Sequence, residues 1–321
     1  MPVNETLARY SDWSYASAVV IYVLAMVFYL VEQAMTKTRR QVARELAAVG
    51  GGDSDAVEAP AEPSVVVTSS PRADRIGRMG FALNVLGVLL HALAVVLRGL
   101  ATDRVPWGNM YEYGSAVCLF AVIGWLVLAK RFDIRRLSVW VLLPIVVLLF
   151  LGGTVLYTPA SPVQPALQSY WLAIHVTAVS IASGLLLLPG VASVLYLFRA
   201  AYEKDGNRFG KFAARLPKAE VLDRLAYRVT IVGFPLFTFA IICGAIWAES
   251  AWGRFWGWDP KETTAFVAWV IYAVYLHARA TAGWRGSRAA VINVLGFAAM
   301  VFNLFFINLV TSGLHSYAGV A

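Results

Sequence analysis

Cysteine is nearly absent from this chain: Cys118 and Cys243 are the two in 321 residues. No C-x-x-C and no C-x-x-C-H occurs, so the chain neither shuttles disulfides by that motif nor carries covalently attached haem of its own. Charge is scarce as well. Only 14% of residues are Asp, Glu, Lys or Arg, while 59% are hydrophobic; ordinary soluble domains hold roughly 25% charged residues. A soluble globular domain is thereby excluded. Histidine is limited to His91, His175, His277 and His315, so any chemistry that needs imidazole has few places to reside.

What the chain has instead is long apolar runs. A helix needs ~20 apolar residues to cross ~30 Å of hydrocarbon, and such runs fall near 17–34, 79–97, 111–129, 138–151, 170–198, 229–248, 263–280 and 289–310. They predict an all-α, polytopic membrane protein of about eight transmembrane helices. Three parts follow: residues 1–35, an outer N-terminus and first span; residues 36–78, a mobile cytoplasmic linker; and residues 79–321, a seven-helix core with an outer tryptophan-rich loop at 247–262. The linker contains GGGDSD and APAEPS, a composition that cannot bury a core. Of the 27 Lys and Arg, 22 fall in the loops on the linker's side. Basic loops stay in the cytoplasm, so both termini are expected outside. The net charge of +8 then faces anionic lipid and calls for no nucleic acid. Lys37, Arg39 and Arg40 follow the first apolar run where a cleaved signal would precede it.

The densest feature is the outer loop, where Trp247, Trp252, Trp256 and Trp258 lie within twelve residues. Indole offers a wide apolar face and one polar tip, which suits a flat aromatic ligand at a membrane surface and equally suits an interfacial belt. Four in one loop, spaced by glycines, is denser than a belt requires. Ligand contact is expected for Trp252, Trp256 and Trp258, with Trp247 in the belt. Asp259, Pro260 and Glu262 fit a helix start: N-cap, first helical position and capping box. Glu112 reads as a helix N-terminal acid, and Arg98 shares a helical face with His91.

Topology sorts the histidines. His175 and His315 flank the tryptophan loop at the outer surface, whereas His91 and His277 fall inside the bilayer. Two imidazoles on opposite faces of a haem iron make a six-coordinate b-type site. The outer pair is the more secure. At about 1.5 Å per residue, His277 lies ~20 Å below the start of its span and His91 only ~10 Å below the outer end of its own. Sharing one iron requires tilt, or a seventh helix that starts above the membrane plane.

WGRFWGWDPKET followed by YAVYLHAR resembles the WWD signature of the CcsA/ResC family, haem-handling membrane proteins of system II cytochrome c biogenesis. One departure is Thr264, where the family has an aromatic. The resemblance implies a haem lyase subunit in the bacterial cytoplasmic membrane, with the tryptophan loop on the outer side. It implies b-type haem as bound substrate, apocytochrome c as acceptor and a ResB/Ccs-type membrane partner. An outer haem site would be held by His175 and His315, and a membrane site by His277 and His91. Trp252, Trp256, Trp258 and Asp259 would stand at the reaction centre. Arg254 and Lys261 would meet the propionates, or equally lipid headgroups. The alternatives are a b-type cytochrome for electron transfer and a transporter of another planar or lipid-linked substrate.

Overall fold

The structure, a computed structural model, describes residues 3–49, 70–132, 134–162, 168–206, 208–311 and 313–315. Among these residues the chain is helical, without strands. Helices α1 (Glu5–Val49) and α2 (Pro71–Thr102) form the first long pair. On α2 the buried positions are Gly77, Gly80, Asn84, Gly87, His91, Ala94, Arg98 and Ala101, a three-four spacing that keeps one stripe against a neighbour. Glycines in this stripe admit the large side chains of α1: a Cβ at Gly87 would come within 2.6 Å of the Tyr22 ring. Ser70 caps α2 by accepting from the Ala73 N–H at 3.0 Å, and Pro71 takes the first position.

Helices α3 (Met110–Arg131) and α4 (Ser138–Thr154) complete a four-helix bundle with this pair. One end of the bundle is tied by buried charge. Arg98, 2% exposed, donates to Glu112 at 3.1 Å, and Arg104 reaches the same carboxylate at 2.9 Å. The Gly108 N–H adds a third donor at 2.8 Å. Glu112 therefore does more than complement a helix terminus: Asn109 is the N-cap, and the Glu112 carboxylate joins α2, α3 and the loop between them. At the other end Arg135 pairs with Glu32.

Helix α5 (Tyr170–Lys204) is the post of the second half. It packs against α3, α7 (Ala219–Trp252) and α9 (Ser287–Leu304), and glycines again set the closest approaches. A Cβ at Gly184 would meet the Val117 carbonyl at 2.7 Å, and one at Gly190 the Phe297 ring at 2.4 Å. A short α6 (Gly210–Ala213) precedes α7, α8 (Pro260–Ala280) lies on α9, and a short α10 (Phe306–Val310) follows α9.

Seven helices among the described residues are long and apolar enough to cross a membrane, and the protein is an all-α polytopic membrane protein. The eighth expected run, 263–280, is helical as α8 but is not one of those seven. Its tyrosines, His277 and Arg279 lower its hydropathy below that of the others. The linker expected over 36–78 is narrower, since α1 extends to Val49 and α2 starts at Pro71. Residues 50–69, which carry GGGDSD and most of the Pro-rich stretch, lie outside the described residues.

Candidate functional site

A cavity of about 410 Å³ opens between α3, α4, α5, α7, α8 and α9. Its walls are mostly apolar, and one end is aromatic: Trp107, Trp247, Trp252, Phe255 and Trp256 line it together with His175 and His315. That volume falls within the ~300–1,000 Å³ of sites for small molecules and cofactors.

Helix α5 delivers His175. Its Nδ1–H donates to the Ala240 carbonyl of α7 at 2.9 Å. Because a carbonyl can only accept, this fixes the tautomer and assigns Nε2 the lone pair. The ring lies flat against α7 where there is no side chain to obstruct it, for a Cβ at Gly244 would sit 2.7 Å from its Cε1. The chain beyond α10 delivers His315, which sits in a turn. Its Nδ1 bonds the Asp259 carboxylate at 2.8 Å. Metal-binding imidazoles are oriented in this way, with one nitrogen held by a carboxylate or carbonyl and the other turned to the metal.

Asp259 performs two tasks. It is the N-cap of α8, accepting from the Lys261 N–H at 3.1 Å, and Glu262 closes the capping box onto the Asp259 N–H at 3.2 Å. It also accepts from the Leu314 N–H at 2.8 Å and holds His315. Burial works against its charge, but the His315 and Leu314 bonds outweigh that and bring its pKa down to about 2. The start of α8 and the seat of His315 are thus one structure.

Trp247 neighbours both imidazoles. Its ring is parallel to His175 within 8°, at 6.1 Å between centroids, and lies 6.0 Å from His315. Trp252 packs edge-on to both Trp247 and His315, at 4.7 and 5.1 Å. Lys261 Nζ lies 6.0 Å from the Tyr113 ring centroid and also lines the cavity.

Residues 107–315 match the family described as "Cytochrome C assembly protein". The chain belongs to the cytochrome c assembly family. A relative named cytochrome c biogenesis protein CcsA, from Mesostigma viride, is 34% identical over 260 residues, covering 72% of this chain and 85% of that protein. Another of the same name, from Gloeobacter violaceus, is 29% identical over 298 residues, covering 77% and 88%. Among solved structures, cytochrome c heme lyase CcmF aligns with a TM-score of 0.58 at 18% identity, a likeness of fold. The match covers 100% of this chain and 49% of CcmF, so the chain spans about half the length of that protein.

Within this member of the cytochrome c assembly family, the expected site residues divide. His175, His315, Trp252, Trp256 and Lys261 share the cavity. Trp247, expected in an interfacial belt, is instead buried at 2% and forms part of the cavity wall. Trp258 is not among the lining residues: it is 67% exposed, with a left-handed backbone at φ 57°, and its ring packs against Trp256 and Phe266. Arg254 pairs with Glu262 at 3.2 Å and lies over the Trp252 ring, outside the lining. The inner pair is not brought together. His91 is fully buried between Tyr22 at 3.4 Å and Ser115 at 2.9 Å, so both its ring nitrogens are engaged inside the first bundle. His277 is exposed on the outward face of α8, near its end. Sequence reasoning missed Trp107 and Gly244. The glycine left no signal, since its value lies in the ring it admits.

Proposed function

We propose that this protein holds b-type haem as a bound substrate between His175 and His315 and presents it for covalent attachment to an apocytochrome c, as a haem lyase subunit of a cytochrome c assembly complex. One observation carries this reading. Two imidazoles from distant parts of the chain line one aromatic-walled cavity, and each has its Nδ1 held by an oxygen acceptor. Such a donor set suits iron bound through Nε2 of each ring. The chain's likeness to proteins named for cytochrome c biogenesis and haem lyase activity agrees with it.

The residues divide the work. Trp247, Trp252 and Trp256 give a large planar ligand apolar contact and keep water from it. Lys261 is placed to meet a carboxylate on the ligand's edge. In the attachment reaction each thiol of a C-x-x-C-H segment adds across one vinyl group, sulfur bonding one carbon and the thiol proton passing to the other. No oxidant is consumed, so the chain's part is positioning. The reading places the tryptophan loop outside a bacterial cytoplasmic membrane and takes a ResB/Ccs-type protein as partner.

The test is the absorption spectrum of the purified protein with its partner. His175→Ala and His315→Ala should each lose part of the haem and the six-coordinate bands. Wild-type spectra and haem content in both variants would overturn the assignment.

A further inference from the structure

The lining of the cavity reaches the exterior in more than one place. At its outer end the rim is the exposed Phe255, 61% accessible. Two further lining residues are exposed as well, and both lie within membrane-spanning helices: Val147 of α4, 49% accessible, and Val301 of α9, 38%. A residue that faces both the cavity and the exterior from within a spanning helix marks an opening toward lipid.

Packing explains why the opening exists. Helix α9 meets α5 closely where Phe297 rests on Gly190, and α5 meets α3 closely at Gly184. Toward the outer end of α9 the contact with α5 is replaced by cavity, lined by Met300, Val301 and Leu304. Helix α4 packs chiefly on α3 and α1, and α9 on α8 and α5. Both helices line the cavity, and neither has the other as a main packing partner.

We infer that the ligand of this cavity enters sideways from the bilayer, through a slot between α4 and α9 rimmed by Val147 and Val301. The inference rests on haem as the ligand, and it adds the route. A flat, largely apolar molecule partitions into hydrocarbon, and the slot offers it apolar side chains on both rims. The route leads inward to Ala268 and Leu187, both buried in the cavity wall. At the outer end it meets Lys261 and the two histidines, the polar groups suited to an acidic edge and an iron.

The experiment is haem uptake by the protein in phosphatidylcholine vesicles preloaded with haem. Replacing both rim valines, Val147→Trp with Val301→Trp, should slow uptake at least tenfold, as read from the rate at which the haem spectrum develops. The pair Val147→Ala, Val301→Ala should not slow it. Unchanged uptake in the tryptophan pair, with slowing by Phe255→Trp, would overturn the slot in favour of the outer mouth. A haem-free measurement separates this from the ligand assignment. With Cys118 and Cys243 replaced by alanine, Ala268→Cys should react with a bilayer-partitioned maleimide faster than with an impermeant one, and the tryptophan pair should suppress that reaction. Equal labelling with and without the tryptophan pair would sink the slot even if haem binds. A protein that takes up no haem but shows the labelling contrast would keep the slot and refute the haem reading.

Discussion

At the scale of single residues, Asp259 is the group whose replacement says most. Asparagine is as good an N-cap as aspartate, so Asp259→Asn should keep α8 intact while replacing a charged acceptor for His315 with a neutral one. Groups that orient a metal-bound imidazole typically contribute 10–100-fold in affinity. The expected outcome is a haem Kd weakened by about that factor, with little change in helix content by circular dichroism. The pH dependence has a definite sign. The folded-state pKa of about 2 lies below the ordinary 3.8, so the carboxylate stabilises the fold above about pH 4 and loses that contribution as pH falls toward 2. Thermal unfolding between pH 6 and pH 2 should show this acid-linked loss in the wild type and a smaller one in Asp259→Asn. The tryptophans give a graded test. Stacking on an indole is worth ~1–3 kcal/mol in nucleic-acid sites, and a similar order for a porphyrin predicts several-fold or larger losses of cytochrome c yield for Trp252→Ala and Trp256→Ala. Trp258→Ala, outside the cavity wall, should cost less. Equal losses at all three would show that position in the wall is irrelevant. The sequence displayed the four indoles and not this ranking, because spacing along a loop says nothing about which ring turns inward.

At the scale of helices, the seat of His175 depends on its neighbour α7. Gly244→Ala places a methyl 2.7 Å from the imidazole, which must swing out of its bond to Ala240. The variant should fold, insert in the membrane and bind haem at least tenfold more weakly, as read by titration of the absorption spectrum. Wild-type affinity would mean that the ring's present pose is not the binding one. Apolar length alone disclosed seven of the helices, since crossing hydrocarbon is a demand that composition must meet. The boundary of α8 was readable from Asp259, Pro260 and Glu262 because capping is local chemistry. Partners around a helix axis were not. His91 and His277 were grouped because both fall inside the bilayer, at unequal depths, yet His91 belongs to the glycine-lined seam of α2 and His277 to the exposed side of α8. Depth in the membrane fixes one coordinate of a side chain, and the direction it faces depends on packing.

For the whole molecule, sidedness is the expectation that links the fold to its task. Cysteines placed at Asp205, in a basic loop, and at Ser161, in the loop between α4 and α5, should differ in reactivity with an impermeant thiol reagent added to whole cells. Labelling is expected at Ser161→Cys alone; labelling of Asp205→Cys alone would invert the protein and put the tryptophan loop in the cytoplasm. That His175 and His315 lie together beside the tryptophan loop was legible from topology. Their surroundings were not, since Trp107 reaches the cavity from a segment far in the chain from Gly244 and Trp247 of α7. The two histidines also differ in how firmly the molecule grips them. His175 sits inside a helix of 35 residues and is tied to the backbone of another, whereas His315 sits in a turn, with its Nδ1 on the Asp259 carboxylate. A bond to iron is only as persistent as the hold on the ring that makes it. On the haem reading proposed above, a histidine from the acceptor protein that competes for the metal is expected to displace His315, the ligand set in the turn, and to leave His175 in place.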